Sequence, residues 1–98
     1  MTDPRYATRL QLHIDGEWID AGDRATHDVV NPASGDALGA LPLATAGDLD
    51  RALDAAARGY RAWRAMSADE RAAVLMAAAR LMRERADRIA TIATLEQG

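Results

Sequence analysis

The chain has 98 residues, 49% hydrophobic and 28% charged, with a formal net charge of −3. That is room for one small domain with a thin margin of burial. Its basic residues are all Arg and alternate with acids, which excludes the basic stripe that nucleic-acid binding uses. Cysteine is absent, which excludes a disulfide framework, a zinc–thiolate site and a thiol nucleophile within these residues.

Residues 1–9 carry no apolar period and read as a flexible N-terminal arm. The opening "MTDPRYATRLQ" has acids and a Pro where a signal peptide would carry an apolar run, and no stretch approaches the ~18 apolar residues of a membrane span. The expected location is cytoplasmic, with no membrane and no nucleic acid as partner. "LQLHIDGEWID" then alternates: Leu10, Leu12 and Ile14 share one face of a strand, and Gln11 and His13 the other. Asp15–Gly16 is a type I′ turn dipeptide, and Glu17–Trp18–Ile19 is the returning strand of a hairpin.

Gly22 centres a second turn. Val29–Val30 is β-branched, Asn31–Pro32 breaks the run, and Ser34–Gly35–Asp36 turns it. Leu38 to Leu43 is a further extended piece with Leu41 and Leu43 on one side, and Pro42 favours a sheet edge.

From Ala46 the period changes from two to 3.6. Thr45 and Asp48 mark a helix start. Leu49, Leu53, Ala56, Tyr60 and Trp63 form one apolar stripe, and a close packing neighbour is the expected reason for Gly59 in mid-helix. Ser67 and Glu70 form the S-x-x-E capping box of a second helix. Leu75, Ala78, Met82, Ala86, Ile89 and Ala93 share a face, widened by Val74, Leu81 and Ile92. Unbroken to Gln97, that helix would run about 45 Å, so a break is expected near Glu84 to Asp87. Its small residues suit helix–helix packing better than a membrane surface.

The sequence holds no G-x-G-x-x-G, no G-x-x-x-x-G-K-[ST], no H-E-x-x-H and no G-x-S-x-G. His13 and His27 lack ligand spacing and read as solvated polar residues. Asp15 belongs to its turn. Asp48, Asp50 and Asp54 read as one exposed helix side, and Asp69, Glu70 and Arg71 as helix-start electrostatics. Trp18 and Trp63 read as core rather than as ligand-stacking platforms.

"LHIDGEW", "VVNPASGDALG", "AARGYRAWRAMSADERAAVLMAAARLM" and "TLEQG" follow one another in an order and spacing that resemble the N-terminal part of aldehyde dehydrogenases. The branch most similar is that of the NAD(P)-dependent succinate-semialdehyde dehydrogenases. The resemblance covers about Leu10 to Gly98. It implies an α/β fold for the full-length family, with a Rossmann-like cofactor-binding domain. Residues 10–98 would be its incomplete N-terminal part: short antiparallel β-hairpins followed by two or three α-helices.

The family oxidises aldehydes to carboxylic acids with NAD or NADP. A cysteine thiolate attacks the aldehyde, hydride passes to the nicotinamide, and a glutamate activates water. Those residues and the cofactor-holding groups have no matching positions here. The expectation is therefore no catalytic, no cofactor-binding and no metal residue in this chain, and no NAD or NADP bound by it alone. The implied partners are the remainder of an aldehyde dehydrogenase chain and, at full length, further copies in a homo-oligomer. Family members continue "TLEQG" with Lys-Pro, so that stretch reads as an interior helix end and the chain as a fragment, inactive on its own. The alternative readings are a free-standing, non-catalytic helical interaction module and a small helical scaffold.

Overall fold

A computed structural model describes residues 3–6 and 9–98. The arm expected over residues 1–9 thus lies partly outside the described residues. Four short strands come first: β1 (Leu12–Ile14), β2 (Glu17–Ile19), β3 (Thr26–Val30) and β4 (Ala37–Pro42). Three helices follow: α1 (Ala46–Ala65), α2 (Ala68–Glu84) and α3 (Ala86–Gln97).

The strands form two separate antiparallel hairpins. β1 and β2 pair Leu12 with Ile19, His13 with Trp18 and Ile14 with Glu17. Their turn has φ of 54° at Asp15 and 77° at Gly16, the doubly left-handed geometry that the Asp-Gly dipeptide favours. β3 and β4 pair from Thr26↔Pro42 to Val30↔Ala37, with an irregularity between Val29 and Val30. In β4 the inward residues are Leu38 and Pro42, while Leu41 and Leu43 share the exposed side. The Leu43 N–H bonds the Ala25 carbonyl, so the nitrogen of Pro42 faces away from β3 and costs no ladder hydrogen bond.

The core is small. Tyr6, Leu38 and Leu95 are buried together, with Leu10, Val29 and Ile92 packed against them. Tyr6 lies in the stretch that sequence periodicity leaves blank, yet it is only 5% exposed and its hydroxyl donates to the Glu96 carboxylate. Gly39 lets Leu10 in: a Cβ there would stand 2.9 Å from Leu10 Cδ1. The first hairpin is tied to α1 by Arg58–Asp15 at 2.6 Å and Arg51–Glu17 at 3.9 Å.

The helix boundaries follow the capping chemistry. α1 and α2 both open with complete capping boxes, Thr45/Asp48 and Ser67/Glu70. Met66 and Ser67 are both extended, so the chain leaves α1 and re-enters α2 without continuing one rod. The break between α2 and α3 falls at Arg85, with φ −106° and ψ 15°. No Gly or Pro enforces it.

Candidate functional site

The start of α1 is the most tightly connected polar point. Arg24, on the loop between β2 and β3, donates from Nε to Asp48 Oδ2 and from Nη2 to Asp48 Oδ1, both at 2.7 Å. The Thr45 backbone N–H donates to Asp48 Oδ2 at 2.9 Å, and the Asp48 N–H returns a bond to Thr45 Oγ1 at 3.1 Å. The Arg24 guanidinium, and then the Thr45 amide, hold the Asp48 carboxyl far below the ordinary carboxylate range. Asp48 is 3% exposed. The sequence reading placed it with Asp50 and Asp54 on a solvated side. In the helix it lies on a different face from theirs, toward the β2–β3 loop, and only Asp50 and Asp54 are exposed.

These contacts tie the β2–β3 loop to the first turn of α1. A dinucleotide would ask for open amide donors at a helix start. Here the capping carboxylates of Asp48 and Glu70 already occupy the starts of α1 and α2. These residues do not fit a pyrophosphate.

A depression of about 410 Å³ opens between the N-terminal residues and the β3–β4 turn, lined by Asp3, Arg5, Asn31, Ser34, Asp36 and Leu38. Asp3, Arg5, Asn31 and Ser34 are each bonded to near neighbours. Arg5 forks onto Asp3 and, with its own backbone N–H, holds that carboxyl down at about 2. Asn31 Oδ1 accepts from the Ala33 N–H, and Ser34 Oγ from the Asp36 N–H. Among the described residues no group of three His, Cys, Asp or Glu could hold a metal ion, and no helix is long and apolar enough to cross a membrane. His13 and His27 are exposed, as the sequence suggests. The His13 ring lies 4.5 Å from that of Trp18.

What stands out is apolar surface. On α1, Leu49, Leu53 and Tyr60 are exposed, Leu53 to 60%, and Trp63 to 37%. On α2 the exposed residues are Val74, Leu75, Met76, Leu81 and Met82. α3 is apolar on two sides: Ile92 and Leu95 face the core, while Ile89 is exposed. Trp18 and Trp63, expected in the core, are not there, and Trp18 is 68% exposed. Gly59 has open space where a Cβ would project, so no neighbour among the described residues accounts for it. An amphipathic stripe ordinarily faces a core, and these stripes face none.

The dimensions agree. The Cα radius of gyration is 16.8 Å, against about 13 Å for a compact chain of this length. The molecule measures 47 × 35 × 16 Å, a slab little thicker than one layer of helices. It exposes 7381 Å², about 2,000 Å² more than surface–mass scaling gives for a compact 10.5 kDa monomer. An excess of that size is what one partner contributes to a large, obligate interface.

Comparison with known proteins gives this surface a context. A family model described as "Aldehyde dehydrogenase family" matches residues 18–98. The chain is 48% identical over 90 residues to "Succinate-semialdehyde dehydrogenase [NADP(+)] GabD" of Escherichia coli (strain K12). That match takes in 92% of this chain and 19% of the relative, so the chain spans about a fifth of that protein's length. The hairpins followed by three helices are consistent with an N-terminal portion of that family's Rossmann-like fold. With the family model covering most of its residues, the chain belongs to the aldehyde dehydrogenase family.

Proposed function

We propose that this chain is the non-catalytic N-terminal segment of an NAD(P)-dependent aldehyde dehydrogenase, and that its bare helix faces pack on the rest of the cofactor-binding domain. The observation that carries this reading is the set of unpartnered apolar stripes on α1 and α2, together with the whole chain's surface surplus of about 2,000 Å². A free-standing scaffold would close those stripes on each other. The absence of Cys supports the division of labour, because the attacking thiolate must then come from elsewhere. In this reading the chain contributes no catalytic, cofactor-binding or metal residue. The name of the Escherichia coli relative favours succinate semialdehyde as substrate and NADP as cofactor. A homo-oligomer and a cytoplasmic location belong to the same proposal. They rest on the family resemblance and on the sequence composition.

The test is to purify the product of the reading frame that runs through Gly98, beside the 98-residue chain. Reduction of NADP or NAD is then measured with succinate semialdehyde and with other aldehydes. The longer product is expected to turn over and the chain to be silent. A stop codon directly after Gly98, or turnover by the chain alone, contradicts the reading.

A further inference from the structure

The chain holds one Asp-Gly dipeptide, Asp15–Gly16, at the tip of the first hairpin. Every other Asp is followed by a residue with a Cβ, and the only Asn precedes Pro32, which has no N–H. Gly16 has no side chain to shield its nitrogen, and nothing lies within 4 Å of where a Cβ would stand. Ile14 pairs with Glu17 across the turn, which leaves the Gly16 N–H outside the ladder. The Asp15 side chain is 55% exposed. An unshielded backbone nitrogen thus neighbours a carboxyl open to water. One contact opposes their reaction: Arg58 Nη2, on α1, donates to Asp15 Oδ2 at 2.6 Å. That pair ties the carboxylate to the helix, and an exposed pair of this kind opens readily.

We propose that Asp15–Gly16 is a site of spontaneous isoaspartate formation and that the Arg58–Asp15 ion pair sets its rate. The Gly16 nitrogen attacks Asp15 Cγ. The N–Cγ bond forms and one carboxyl oxygen leaves as water, taking the amide hydrogen and a proton from solvent. Water then opens the cyclic imide. Attack at Cγ restores aspartate; attack at the main-chain carbonyl leaves the chain running through Cγ, with the main-chain carboxylate free. That carboxylate can accept a methyl group from a sulfonium donor, which departs as a thioether. The rerouted backbone is one methylene longer between Ile14 and Glu17. Their pairing shifts, and Ile14, only 7% exposed, loses its inward place. The links of Asp15 and Glu17 to α1 flank the insertion and loosen with it. The inference does not rest on the dehydrogenase reading. Arg51 and Arg58 lie on the side of α1 opposite the bare stripe at about 100° per residue, so a surface packed on the stripe leaves the turn open.

The experiment ages the purified 98-residue chain for weeks at neutral pH and body temperature, beside Arg58→Ala, Arg58→Lys and Asp15→Glu. Far-UV circular dichroism confirms that each variant keeps its helices. Isoaspartate is counted by enzymatic methyl transfer from S-adenosylmethionine and located by electron-transfer fragmentation of the tryptic peptide Leu10–Arg24. Asp15 is expected to be the main site. Arg58→Ala should gain isoaspartate there about threefold faster, and Arg58→Lys, which keeps the charge, should stay near the parent rate. Asp15→Glu, whose imide would be one atom larger, should gain almost none in that peptide. No isoaspartate at Asp15, another Asp converting ahead of it, or a rate indifferent to Arg58→Ala would each overturn the proposal. None of these outcomes bears on the dehydrogenase reading, which the longer gene product decides.

Discussion

Arg24 forks onto Asp48 across 24 residues of sequence, with both nitrogen–oxygen distances at 2.7 Å, and so locks the β2–β3 loop to the first turn of α1. Removing the guanidinium leaves a buried carboxylate with only its capping amide. Arg24→Ala is therefore expected to destabilise the chain more than Arg9→Ala, whose ion pair to Asp20 is exposed. Urea unfolding of the two variants checks the order. Thr45→Ala, which removes the reciprocal cap, should cost about 1 kcal/mol.

The same pair sets the acid limb. The folded-state pKa of Asp48 is depressed. Its contribution is therefore fully present above the ordinary carboxylate value of about 4 and is lost as pH falls through the lower folded value. Acid titration followed by circular dichroism should show Asp48→Asn with a lower starting stability and a shallower loss below about pH 4.

Tyr6 governs the alkaline limb. Burial, and then the bond to Glu96, push its phenol from 10.0 up to about 12. A raised folded pKa means stability that is complete below the unfolded value and drains as pH rises through the folded one. Unfolding between about pH 10 and 12 should therefore be steeper in the parent chain than in Tyr6→Phe. Tyr6→Phe should lose about 1 kcal/mol at neutral pH.

Buried and bare leucines should behave differently although the sequence gives them the same helical spacing. Leu95→Ala empties part of the core and should cost about 2–5 kcal/mol. Leu53→Ala in the same chain should stay within about 0.5 kcal/mol, since the side chain is already in solvent. Denaturant midpoints distinguish them directly.

Gly59 offers a sharper contrast. With open space at its Cβ position, Gly59→Ala should stabilise the isolated chain by about 0.5–1 kcal/mol through helix propensity. If a partner packs closely on that turn, the same substitution should weaken the assembled protein. Opposite signs in the two settings are the expected result.

Much of this fold was legible because local chemistry specifies it. The Asp15–Gly16 turn and the helix starts at Thr45 and Ser67 depend on neighbours in sequence, whereas the break at Arg85 is expected from helix length alone and no local residue enforces it. What could not be read depends on distant residues. Nothing around Tyr6 signals that Leu38, Leu95 and Glu96 will meet it. Asp48 lies on the opposite helix face from Asp50 and Asp54 at about 100° per residue, and Arg24, arriving from another loop, pairs with it there. Trp63 reads as core because apolar helix stripes normally are, and Trp18 beside its turn because large aromatics more often pack than bind ligand. That inference presumes a chain that supplies its own core, and these faces lack one.

The most direct test is scanning calorimetry of the dilute 98-residue chain. If the helix faces are built for a surface this chain lacks, unfolding should be broad. Its enthalpy should fall well below the roughly 70 kcal/mol that a well-packed domain of this length absorbs near 60 °C. A sharp, two-state transition of that full size from a monomeric chain would contradict the account.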